Sequence, residues 1–190
     1  MDRLNKIKDR LIPFCSVWTE NKVKMCRKQP EMSLLEQAER VLQKVKDDQE
    51  QGSERVLCYL SLFHFKSSLW TGTNRYQICA SDETLYLNPP LASADWVPEY
   101  LYNDMAILQT AVETELRKYF VRLLSYEINF AVRLLLEEYQ KIAGIYWQQA
   151  AEQLVTGSSF KTIQKHDSWK VISGPYMDHM KIVLQSENRR

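Results

Sequence analysis

Three histidines, four cysteines and a few carboxylates that fall on apolar helix faces are the groups through which this chain could do chemistry. His166 precedes Asp167, and Asp178 precedes His179. A carboxylate can hold an imidazole in the tautomer that proton transfer needs. Residues adjacent in sequence seldom face each other, however, and no spacing supplies a nucleophile, so both pairs read as surface features. His64 sits in a strongly apolar run and reads first as a hydrogen-bonded core residue. Cys15, Cys26, Cys58 and Cys79 form no Cys-x-x-Cys pair. Without such clustering they suit reduced thiols packed as small hydrophobes better than a zinc site. The sequence therefore assigns no catalytic residue, no metal ligand and no cofactor.

Glu127 is the most informative carboxylate. On an ideal helix it falls within the apolar stripe formed by Leu116, Phe120, Leu123 and Leu134, with Glu138 and Lys141 further along the same face. A charge buried there must meet a cation, be protonated or face a cavity. The structural expectation is an ion pair with an Arg or Lys of a neighbouring helix, or a helix break that turns Glu127 outward. The functional alternative is a small-molecule or enzymatic pocket in which Glu127, Glu138 and His64 contact a ligand. The chain has no Glu-x-x-His pair, so the carboxylate-bridged di-iron arrangement is not met.

Charge is uneven although the net value is +1. Residues 1–30 carry eight Lys/Arg against three Asp/Glu, whereas residues 82–115 carry seven acidic residues and no basic one. The plain reading is a set of solvated or mutually compensating charges. The sharper one is an acidic surface for a protein partner, with Glu99, Tyr100, Tyr102 and Asp104 as its contacts, since tyrosines are enriched at interfaces. Lys22, Lys24, Arg27 and Lys28 form a small basic cluster that is a weak candidate for nucleic acid. Near-neutral net charge and the missing helix-turn-helix pattern argue against that use. There is no phosphate loop.

The elements that must position these groups read as mainly α-helical. The composition has five Gly and six Pro in 190 residues, and a chain of this length can bury a core without staples. Leu4, Ile7, Leu11, Phe14 and Trp18 recur at helical spacing, interrupted by Pro13, which should kink or end that helix. Leu34, Leu35, Ala38, Val41, Leu42 and Val45 share a second helix face, started by a Ser33/Glu36 capping box and ended at Gly52. Residues 54–70 are apolar on nearly every side and predict a central, surrounded helix stopped by Gly72. A small antiparallel hairpin is expected over 75–87, with Arg75–Ala80 and Thr84–Leu87 as its strands. Asp95 to Pro98 looks like a helix start. A helical region over 98–155 would be roughly 87 Å long if unbroken, so a break is expected near Tyr102–Asp104 or Ser125–Asn129. The 160–190 tail is mixed, with an extended Trp169–Ser173 that could join the hairpin.

The expectation is thus a single helical domain over 1–190 with one long or kinked helix in its second half and a small hairpin, α+β being the alternative. Charges interrupt the amino terminus before an apolar signal segment forms, and no stretch approaches the roughly 18 apolar residues of a membrane span. These features point to a cytoplasmic, non-membrane protein. The leading functional expectation is a noncatalytic protein-interaction or self-association module whose partner is another protein or a further copy of the chain.

Overall fold

The computed structural model describes residues 2–26, 32–98 and 105–186. It overturns the mainly helical expectation. The protein is α+β: of the described residues 55% are helix and 20% strand, the strands forming a five-stranded mixed sheet. The chain divides into two compact units, one of residues 1–29 with 98–145 and one of 30–97 with 146–190.

The sheet unit begins with α2 (Met32–Glu50), which follows α1 (Arg3–Cys26) of the other unit in sequence. Its buried residues Leu34, Ala38, Val41, Leu42 and Val45 recur at helical spacing, and Gly52 follows with φ +99°. Next comes β1 (Leu57–His64), in the middle of the run expected to be a central helix. The error has a physical source. A strand covered on both faces carries an almost continuous apolar sequence, which period alone cannot separate from a buried helix. Here β1 is the middle strand of the order β3 (Ala92–Trp96), β2 (Tyr76–Ser81), β1, β4 (Lys165–Pro175), β5 (Lys181–Gln185), and Leu57, Leu60, Leu62 and Phe63 are all buried. Only α3 (Lys66–Thr71) is helical within that run, and Gly72 ends it in the left-handed conformation.

The hairpin is also differently built. β2 (Tyr76–Ser81) pairs antiparallel with β1 and with β3 (Ala92–Trp96). The expected strand Thr84–Leu87 is instead turn, with Leu85 at φ +51°. The segment read as a helix start, Asp95 and Trp96, ends β3. Trp96 is buried, and its Nε1 donates to Ser33 Oγ at 3.0 Å. This ties the edge strand to α2, which packs on β2 and β3. In the carboxyl-terminal part, α6 (Ser158–Thr162) leads into β4 (Lys165–Pro175) and β5 (Lys181–Gln185). β4 joins β1 in parallel rather than the β2–β3 hairpin. Register places Leu60 between Ala80 and Val171, and Leu62 between Ile78 and Ser173. Phe63, Tyr86 and Tyr176 pack edge or tilted against one another, with centroids 5.3–5.5 Å apart.

The helical unit contains α1 (Arg3–Cys26), α4 (Met105–Arg117) and the first part of α5 (Ser125–Leu154), whose last residues belong to the sheet unit. α1 runs through Pro13 without ending. Pro13 and Asp9 are both exposed, so the carbonyl deprived of its usual donor can meet water. The long helical region is interrupted over residues 118–124, just ahead of Ser125; Tyr102–Asp104 lie outside the described residues. Among the described residues no helix is long and apolar enough to cross a membrane.

Candidate functional site: the outward face of the helical unit

Glu127 is fully buried, and its partner is Arg3 of α1. Arg3 Nε lies 2.5 Å from Oε1, an ion pair without hydrogen-bond alignment. Arg3 Nη2 donates to Oε2 at 3.3 Å and also to the Arg122 carbonyl. The Leu124 backbone N–H donates to Oε2 at 2.9 Å, while the Leu124 carbonyl accepts from Ile128 N at 3.2 Å. Glu127 thus closes half of a capping box at the start of α5. A second tie joins the same helices, since Trp18 Nε1 donates to the buried Tyr139 hydroxyl at 2.5 Å. The carboxylate singled out as a pocket residue is engaged in holding α5 to α1.

Glu138 does not join it. Glu138 is 11 positions further along α5, about 16 Å at 1.5 Å per residue, and is bridged to Lys141. It lines a groove of about 420 Å³ between Leu11, Ile12 and Cys15 of α1 and Leu134 and Glu137 of α5. Burial, then the negative charge of Glu138, pushes the Cys15 thiol up to about 11, so it is protonated at neutral pH and a poor nucleophile. His64 belongs to the sheet unit, where its ring lies edge-on to Tyr76 with centroids 6.2 Å apart. Burial, then Lys66, lowers its pKa.

Neither His–Asp pair orients an imidazole. His166 Nδ1 meets Ser168 at 2.8 Å, and Asp178 pairs with Lys66 at 2.9 Å while accepting the His179 backbone N–H. Among the described residues no group of three His, Cys, Asp or Glu could hold a metal ion. In the acidic segment, Asp82 pairs with Arg55 at 2.6 Å, Asp95 with Arg75 at 3.1 Å, Glu113 with Arg117 at 2.5 Å and Glu115 with Lys118 at 2.5 Å. Four carboxylates of that segment are therefore paired with cations from outside it. Glu99, Tyr100, Tyr102 and Asp104, proposed as its partner contacts, lie outside the described residues. So do Arg27 and Lys28; Lys22 and Lys24 lie near the end of α1.

A different surface stands out. The buried stripe of α4 is Leu108, Val112 and Leu116. Its solvent side carries Ala106, Ile107, Gln109, Thr110 and Thr114, together with the half-buried Glu113, which is paired to the exposed Arg117. Ile107 is 59% exposed. Thr110 Oγ1 donates to the Ala106 carbonyl at 2.9 Å, and Thr114 Oγ1 to the Thr110 carbonyl at 2.8 Å. The hydroxyls are thereby turned back onto the helix. The adjoining turn adds Val121, fully exposed, with Tyr119, Leu124 and Tyr126 also exposed. Arg10 of α1 lies 5.0 Å over the Tyr119 ring. Sequence reading missed this face. The available signal was Ile107, one position out of phase with the buried stripe, in a helix with no lysine.

No protein-family model, no curated protein and no solved structure matches the chain.

Proposed function

We propose that this protein is a noncatalytic interaction module that engages a protein partner through α4 and the turn that follows it. The observation that carries this reading is the exposed Ile107 on α4, followed in sequence by a turn that exposes Tyr119, Val121 and Leu124. Exposed apolar clusters of this kind mark association surfaces more often than scattered surface hydrophobes do. The engagement of Glu127 by Arg3 and the raised Cys15 thiol agree with a binding role.

The test is site-specific photocrosslinking in expressing cells, with a photoreactive residue at Ile107, at Val121 or, as control, at Gln148 of α5. Adducts from positions 107 and 121 with none from 148 are expected. Equal yields at all three positions, or no adduct at 107 and 121, would sink the reading.

The groove beside Glu138 favours a second reading, a small-molecule site. Native mass spectrometry of the protein as purified tests it. A bound mass that is lost in Glu138→Ala supports the site, and a bare protein opposes it. Nucleic-acid binding through Lys22 and Lys24 draws no support from the geometry.

A further inference from the structure

We infer that residues 82–91 form a strap that opens over one face of the sheet, with Arg55 as its latch and Ser61 and Cys79 beneath it. The strap belongs to the sheet unit, so its motion does not bear on the α4 reading. Tyr76, Ile78 and Ala80 of β2 share the face turned to α2, where the Tyr76 and Trp96 rings meet at 5.2 Å and Trp96 reaches Ser33. Alternation therefore turns Cys79 to the opposite face, and register sets Ser61 of β1 beside it. Phe63 leaves that same face, and the Tyr86 ring of the strap packs on it with centroids 5.5 Å apart.

The closed strap leaves polar groups unsatisfied. Ser61 is fully buried and its hydroxyl has no hydrogen-bond partner. The Tyr86 hydroxyl is also buried, near the Met177 backbone, and makes no aligned hydrogen bond. Two orphaned hydroxyls favour a state that water can reach. Leu85 stands at φ +51°, an unfavourable conformation for a leucine. Leu87 is 88% exposed, so closure gives it little to pack against. The turn bonds of the strap, from Leu85 N to the Asp82 carbonyl and from Leu87 N to the Thr84 carbonyl, are internal and survive its movement. Arg55 holds the strap from outside. Its Nε and Nη2 donate to Asp82 Oδ2 at 2.9 and 2.6 Å, and Nη2 donates to the Pro89 carbonyl at 2.8 Å. One side chain thus spans both limbs. Opening bares the Ser61 hydroxyl and the Cys79 thiol, a hydrogen-bonding surface that closure hides.

Cys79 reports the opening. It is free and buried, and burial, then Asp95, pushes its thiol up to about 12, so it is unreactive while the strap is closed. The experiment is N-ethylmaleimide labelling of the full native chain, resolved by site with mass spectrometry, in zero to low urea. Arg55→Met and Asp82→Asn should each speed Cys79 labelling at least tenfold and leave Cys15, in the helical unit, at its wild-type rate. Tyr86→Phe, which removes an orphaned hydroxyl, should slow it at least twofold. The Cys79 rate should be nearly independent of urea, because opening a strap exposes little surface. Circular dichroism verifies folding. Asp82→Asn keeps an oxygen for the Thr84 N–H, so it carries the test if Arg55→Met does not fold. Latch variants that label at the wild-type rate overturn the inference. So does a Cys79 rate that climbs steeply with urea in every variant, because the sheet unit then opens as a whole.

Discussion

Arg3 and Glu127, 124 positions apart, form the ion pair that joins the start of α1 to the start of α5. The carboxylate is fully buried, whereas the Arg3 side chain is half in solvent. The pair is therefore asymmetric. Removing the cation strands a buried negative charge, while neutralising the carboxylate leaves a guanidinium that water can solvate.

Arg3→Ala is expected to cost about 2–3 kcal/mol, below the full penalty for breaking a buried pair because Arg3 is partly solvated. Glu127→Gln should cost less, since its side-chain oxygen can still accept the Leu124 N–H. Urea unfolding of both variants gives the order. An equal or larger loss for Glu127→Gln would show that the clamp does not work this way.

Two groups predict opposite pH limbs. Cys15 is raised from 9.0 to about 11. The folded state keeps this proton while the unfolded state loses it, so the associated stability is present below pH 9 and lost as pH rises from 9 towards 11. His64 is lowered from 6.5, so its contribution is present above that value and lost as pH falls below it. Melting temperature against pH should flatten between pH 9 and 11 in Cys15→Ala, and below pH 6.5 in His64→Phe, each relative to wild type.

Gly174 marks the close approach of β4 to the segment that returns into β5. A Cβ there would lie 2.8 Å from the His179 carbonyl oxygen and 3.2 Å from the Met180 Cα. Both are backbone atoms and cannot swing aside. Gly174→Ala should cost about 1–3 kcal/mol in chemical denaturation, in the range of other overpacking changes. Wild-type stability would mean that the turn shifts freely.

Trp147 of α5 is fully buried, and its Nε1 donates to the Ile172 carbonyl at 3.0 Å, where the β4–β5 register is irregular. Trp147→Phe should lose about 1–2 kcal/mol from a stranded carbonyl and reduced packing. Trp147→Ala should lose about 3–5 kcal/mol. Thermal unfolding of the two variants separates the hydrogen bond from the ring volume.

Legibility followed the range of the interactions. α2 was readable because its apolar residues recur at 3 and 4, and a one-sided helix needs no information from elsewhere in the chain. The placement of Glu127 in an apolar stripe was readable for the same reason. Its partner was not, because nothing local links position 127 to position 3. β1 was misread because a strand covered on both faces loses the alternation that would reveal it. The decision was made by β2 and β4, which supply its hydrogen bonds from 12 or more positions away. The acidic 82–115 run looked like a charged surface until the structure paired Asp82, Asp95, Glu113 and Glu115 with Arg55, Arg75, Arg117 and Lys118.

What the sequence determined by itself was local: amphipathic helices, the glycine stops at 52 and 72, the extended tail around Trp169 and the unusual phase of Glu127. What only the tertiary structure decided was which apolar residues remain outside. Leu108 and Ile107 are adjacent and similarly apolar, yet one is buried and the other is mostly exposed. Burial is a property of the surfaces that meet, and residues adjacent on a helix point about 100° apart, so packing buried Leu108 and left Ile107 exposed.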